Sequence, residues 1–110
     1  MTHVAFIGGG NMAAAIIGGL VRQGDMPASQ IHVSDPNEQQ RQQLADNYGV
    51  LVYADNEQAI AQADVVILAV KPQVMSQVLT PLQTQLSERQ PLLISIAAGI
   101  DMASLVHWSG

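Results

Sequence analysis

The sequence has no cysteine, only four basic residues, and a single Phe, a single Trp and two Tyr. Without a thiol there is no disulfide framework and no thiolate chemistry. Arg22, Arg41, Lys71 and Arg89 lie far apart and are outnumbered by nine acids, for a net charge of −5. No basic patch is therefore available to neutralise phosphates along a duplex, which excludes nucleic acid as the expected partner. No apolar run approaches the roughly 18 to 20 residues of a membrane-spanning helix, and the start, Met1 to Gly10, carries neither a basic segment nor a long apolar stretch. A soluble, cytoplasmic protein without a membrane partner is the expectation. What the chain does have is 110 residues that are 48% hydrophobic and 12% charged, enough for one compact core.

Two hydrophobic periods alternate along it. Short apolar runs of strand type occur at Val4 to Ile7, Ile31 to Val33, Val50 to Val52, Val65 to Val70 and Leu92 to Ile96, with helix-patterned stretches between them. This β-α-β-α rhythm predicts a parallel sheet in a doubly wound, Rossmann-like α/β domain covering residues 1–110. The runs at Val65 and Leu92 lack polar alternation, as central strands covered on both faces do. Helices are expected from Asn11 to Arg22, with Gly24 as a stop; from Asp35 as N-cap, with Pro36 at the first position and Glu38 closing a capping box, to Tyr48 before Gly49; from Glu57 to Gln62; from Pro72 to Leu86; and from Asp101 onward. That final helix stops at Gly110 without an evident docking element, so the chain reads as a piece cut from something longer.

The first strand runs directly into Gly8-Gly9-Gly10-Asn11-Met12-Ala13, a G-x-G-x-x-A pattern at a strand-to-helix turn. Gly8 permits the tight turn, Gly10 lets backbone approach a pyrophosphate, and Ala13 allows close packing of helix on strand. The unpaired N–H groups of the helix start then face the anion. The bland counterpart is a glycine turn with no ligand; its place inside a β-α-β unit argues for the functional reading. Small residues at Ala14, Ala15, Gly18 and Gly19 suit a helix lying close to the sheet.

The second strand ends at Ser34-Asp35, about 22 residues past Ala13, where such folds meet the adenine ribose. Asp35 has two roles open to it, as N-cap of its own helix or as acceptor for the ribose 2′-hydroxyl. In the second role it favours NAD over NADP, although Ser34 and Asn37 can hydrogen-bond a 2′-phosphate if Asp35 turns away. Ala69-Val70-Lys71-Pro72 follows the fourth strand on the ligand side of the sheet, as do Asn56 and the Ala97-Ala98-Gly99 turn. Lys71 at a helix start opposes the helix dipole, which favours a ligand role over a merely solvated one. Asn56 and Gly99 have plain alternatives as a cap and a tight turn. His3, His32 and His107 share no spacing and read as surface or packing residues, with no metal site among them. Met12, Met26, Met75 and Met102 read as gap-filling apolar side chains.

Taken together, Ala5 to Ala13, Ala69 to Pro72 and Ser95 to Ile100 resemble, in this order, the amino-terminal half of pyrroline-5-carboxylate reductases, over essentially the whole chain. The resemblance implies hydride transfer from NADPH or NADH to the C=N bond of 1-pyrroline-5-carboxylate, giving L-proline. By matching positions, Ile7, Gly8, Gly9, Gly10, Asn11 and Met12 would hold the pyrophosphate, Ser34, Asp35 and Asn37 the adenosine ribose end, and Asn56 the cofactor groove. Ala69, Val70, Lys71, Pro72, Ala97 and Ala98 would pass the nicotinamide side. NADPH is the family's common preference, against which Asp35 speaks. The resemblance also implies an all-helical second domain, absent from this chain, that binds the substrate and forms a homo-oligomer; catalytic residues are expected there and none is assigned here. Two other readings are a related 3-hydroxyacid or deazaflavin-dependent dehydrogenase and a non-catalytic nucleotide-sensing module.

Overall fold

Val4–Ile7 forms β1, four apolar residues buried on both faces, as a strand between two helix layers must be. A computed structural model describes residues 2–24 and 26–95. Ile31–Ser34 (β2), Leu51–Tyr53 (β3), Val65–Leu68 (β4) and Leu92–Ser95 (β5) complete a parallel sheet of order β3-β2-β1-β4-β5. Phe6 pairs with Val33 on one side and with Ile67 on the other. The chain therefore works outward from β1 through β2 to β3, then returns to place β4 against the other edge of β1. That reversal makes the carboxyl ends of β1 and β4 a topological switch point, where open α/β sheets leave a crevice.

Because side chains alternate across a strand, the sheet feeds two cores. Val4, Phe6, Ile31 and Val33 pack with Ala13, Ile17 and Leu44, from α1 (Asn11–Arg22) and α2 (Glu38–Tyr48). Ala5, Ile7, Val66 and Leu68 pack with Ile60 of α3 (Asn56–Ile60), Met75 and Leu79 of α4 (Pro72–Leu79), and Leu86 of α5 (Gln83–Arg89). Each fully buried Leu, Ile, Phe or Met contributes about 1.5–3 kcal/mol relative to an exposed one. The doubly wound α/β fold expected from the sequence is the fold observed.

Several local expectations are corrected. The stretch Pro72 to Leu86 is not one helix: α4 ends at Leu79, a 3-10 turn spans Thr80–Leu82, and α5 follows. Pro81 explains the break, since it has no N–H for the carbonyl one turn back and its ring crowds that carbonyl. α2 does not begin at Asp35. Its N-cap is Asn37, whose side chain accepts from the Gln40 N–H at 3.1 Å, and Gly49 at φ +73 closes it as expected. β3 sits one residue later than its apolar run, and α3 is capped by Asp55 rather than Asn56. Among the described residues β5 is an outer strand, with Leu92 and Ile94 exposed. Of the small residues in α1, Gly18 faces Tyr48 of α2 and not the sheet, while a Cβ at Gly19 would meet open space. Met75 is buried as a gap filler, but Met12 is 60% exposed. The helix expected from Asp101, with Met102 and His107, lies outside the described residues.

Candidate cofactor-binding site

The end of β1 meets the ends of β2 and β4 at one residue. Gly8 has φ +101, and a methyl there would lie 2.6 Å from the Ala69 carbonyl oxygen and 3.2 Å from Val70 Cγ1. Its N–H donates to the Ser34 carbonyl at 2.8 Å, while the Ala69 N–H donates to the Ile7 carbonyl at 2.9 Å. Gly8 is thus required both by its backbone angle and by the neighbouring chain.

Gly9 is buried under α2, where a Cβ would sit 2.8 Å from Leu44 Cδ1. Its N–H donates to Asp35 Oδ2 at 2.8 Å, and its carbonyl accepts from Gln40 Nε2. Two of the amides expected to face a pyrophosphate, those of Gly8 and Gly9, are therefore committed inside the protein. The donors left for a ligand are those of the α1 start. Gly10 is the N-cap of α1 in an extended conformation, φ −72 and ψ −169, with no side-chain cap and no acidic residue in the first turn. A Cβ on Gly10 would find no atom within 4 Å, whereas Ala13 behind it is 1% exposed. A helix start with no side-chain cap and a positive dipole end, bordered by open space, has the character that suits an anion.

Asp35 takes neither the capping role nor an idle one. Oδ2 holds the Gly9 N–H and Oδ1 holds the Asn37 N–H, each at 2.8 Å, so the carboxylate staples the glycine turn to the β2–α2 turn. Arg41 Nη1 donates to the Asp35 carbonyl at 2.8 Å. Ser34 is 1% exposed and its hydroxyl donates to Asn56 Oδ1, which joins these two expected site residues to each other. Asn56 also lines a cavity of about 480 Å³ between the start of α3 and Val78, Pro81 and Leu82. Lys71 is exposed at the N-cap position of α4, with no side-chain cap, and Pro72 occupies the first turn. Ala97 and Ala98 lie outside the described residues. Gln40 and Arg41 escaped sequence reasoning because the contacts that involve them depend on the folded turn, and Gln40 meets Gly9 across 31 residues.

His3 and His32, expected as surface or packing residues, pack against each other. His3 Nδ1 lies 3.0 Å from His32 Nε2, and His32 Nδ1 lies 2.9 Å from the Tyr53 hydroxyl. Burial of the imidazole, and secondarily repulsion from His3, pushes the His32 pKa below its ordinary value. The His3 N–H, just before β1, donates to Asp64 Oδ2 at 2.9 Å.

A parallel sheet reversing at β1, with a glycine turn opening an uncapped helix at the switch point, defines a Rossmann-type domain of the NAD(P)-binding class. The chain belongs to the family described as NADP oxidoreductase, coenzyme F420-dependent, whose model matches residues 3–99. It is 51% identical over 108 residues to pyrroline-5-carboxylate reductase of Pseudomonas aeruginosa, covering 98% of this chain and 39% of that protein. The structure of a pyrroline-5-carboxylate reductase from Coxiella burnetii superposes with a TM-score of 0.94 at 38% identity, covering 99% of this chain and 40% of the other. That of Plasmodium falciparum pyrroline carboxylate reductase, determined with NADP bound, has a TM-score of 0.83 at 25% identity, covering 99% and 38%. The resemblance drawn from three sequence segments is borne out. This chain spans about two fifths of the length of these relatives. No helix among the described residues is long and apolar enough to cross a membrane.

Proposed function

We propose that these 110 residues are the cofactor-binding part of a pyrroline-5-carboxylate reductase, which reduces 1-pyrroline-5-carboxylate to L-proline with NADPH or NADH as hydride donor. The observation that carries this reading is the uncapped start of α1 behind Gly10, open to solvent at the switch point of the sheet. Its amides receive the pyrophosphate, and the turns after β2 and β4 receive the two ends of the dinucleotide. The bound cofactor supplies the hydride; the residues of this chain bind it, orient it and close one side of the groove. Relatives named for the same reaction at 51% and 38% identity favour this substrate over a 3-hydroxy acid or a deazaflavin partner.

Hydride transfer also needs the imine held against the nicotinamide, and much of the barrier reduction comes from that orientation. We assign this task, together with homo-oligomer formation, to a helical domain beyond these residues, in a soluble cytoplasmic enzyme. Relatives more than twice as long support the division. In the full-length protein, proline formation from 1-pyrroline-5-carboxylate and NADPH is expected, while residues 1–110 alone bind cofactor weakly and do not turn over. A full-length protein that reduces no cyclic imine sinks the assignment, and near-native turnover by the isolated segment sinks the division of labour.

A further inference from the structure

We propose that Arg41 is the residue that distinguishes a 2′-phosphorylated dinucleotide from an unphosphorylated one, a reading that rests on the dinucleotide site proposed above. Several polar groups on the turn after β2 are already committed. Both carboxylate oxygens of Asp35 accept backbone N–H groups, from Gly9 and from Asn37, each at 2.8 Å. The Asn37 side chain accepts from the Gln40 N–H at 3.1 Å, and the buried Ser34 hydroxyl donates to Asn56. The Asp35 carboxylate is thus turned into the protein's own amides and the Ser34 hydroxyl proton is spent on Asn56, which leaves the neutral side-chain amide of Asn37 as a donor on the turn but no cation there to match a phosphate's charge.

Arg41 differs from them. It lies in the first turn of α2, half-buried, and one guanidinium nitrogen is fixed at 2.8 Å on the Asp35 carbonyl. That bond pins the cation beside the β2–α2 turn, where this class of fold receives the adenosine ribose. A guanidinium carries several further N–H donors in a rigid fork, matched to phosphate oxygens, and it stays charged at any working pH. No carboxylate among the described residues pairs with it, and its hydrogen bond goes to a neutral carbonyl. A fixed, partly desolvated cation at the ribose end, with Glu38 near it on the same turn but not bonded to it, attracts a dianionic 2′-phosphate and gains nothing comparable from a 2′-hydroxyl. The carboxylate of Asp35, which sequence pattern alone sets against NADP, is held back by Gly9 and Asn37 from opposing it.

The test uses the full-length protein with two probes that share the adenosine and 5′-pyrophosphate and differ only at the 2′ position: ADP and its 2′-phosphorylated counterpart, adenosine 2′-phosphate 5′-diphosphate. Both are titrated by calorimetry into wild type, R41Q and R41K. Glutamine keeps a donor for the Asp35 carbonyl but removes the charge, and lysine keeps the charge but loses the fork. The expected result is a loss of about 10- to 100-fold in affinity for the 2′-phosphorylated probe in R41Q, as for removal of a charge-assisted hydrogen bond. ADP binding stays unchanged, and R41K falls between. The wild-type difference between the probes should also shrink as salt is raised. Equal weakening of both probes in R41Q reduces Arg41 to a structural prop of the turn and overturns the proposal, as does an unchanged ratio between them. A wild type that binds neither probe refutes the dinucleotide site itself, which is a separate failure from an Arg41 that does not discriminate.

Discussion

Replacing Gly8 with Ala tests the link between the glycine turn and β4. The residue sits at φ +101, a region that costs a non-glycine residue about 1–3 kcal/mol. The added methyl would also fall 2.6 Å from the Ala69 carbonyl oxygen, closer than real Cβ contacts come, and the obstacle is backbone rather than a side chain that can swing aside. Relief requires the chain after β4 to withdraw, which breaks the 2.9 Å bond from the Ala69 N–H to the Ile7 carbonyl. Such a bond contributes about 0.5–1.5 kcal/mol net. The two effects together predict a loss of about 2–4 kcal/mol, or a fall in Tm of roughly 10–17 °C for a domain of this size. Gly10→Val is the companion variant. Gly10 has an ordinary extended φ of −72 and no neighbour within 4 Å of a built Cβ, so stability should move by no more than about 0.5 kcal/mol. Its side chain would occupy the space in front of the α1 amides, and NADPH binding should be lost. Thermal melts and cofactor titration of both variants therefore give opposite rankings. A Gly8→Ala protein that melts with wild type, or a Gly10→Val protein that binds NADPH with native affinity, refutes the geometry on which the site is built.

Asp35→Ala leaves the buried Gly9 N–H without its acceptor and should destabilise by about 1–3 kcal/mol in urea unfolding; a change near zero means the staple carries no weight. His32 is held neutral in the fold, with its pKa below the ordinary 6.5, so protons bind the unfolded chain more readily. Stability should be complete above pH 6.5 and fall as pH drops from there towards the lowered folded value, and a Tm measured at pH 5.5 should lie below that at pH 7.5. In H32Q that difference should shrink, and an equal pH dependence in both proteins assigns it to other groups. Leu44→Ala empties the space beneath Gly9 and α2, where Leu44 is 2% exposed, and should cost about 2–5 kcal/mol by denaturant titration. A loss below 1 kcal/mol would show that the α2 face collapses to fill the gap.

The alternation of apolar runs and glycine-punctuated helical stretches made the sheet and its helices legible before any coordinates, because strands such as Val65–Leu68 and the turn at Gly8 to Gly10 carry their signals locally. The misreadings share a cause. Asp35-Pro36-Asn37-Glu38 has the local form of a capping box, yet Asp35 meets a stronger competitor, the Gly9 N–H 26 residues away, and Asn37 takes the cap. Nothing within the turn announces that contact. The histidine pair is hidden in the same way, since His3 and His32 meet only when β1 and β2 align. Pro81, by contrast, was visible in the sequence and sufficient to divide the helix after Pro72.

The contact of Gly8 with Ala69 joins two segments about sixty residues apart, so the proposed phosphate-receiving surface would be completed only after the crossover to the fourth strand has docked. Partly folded chains offer the nucleotide no platform, and ligand capture becomes a report that the long-range half of the fold is in place. By mass action, a dinucleotide at about 100 times its Kd would hold the finished state by a further 2.7 kcal/mol or so. On the proposed function, a bound coenzyme would guard the assembly of the fold as well as serve the reaction.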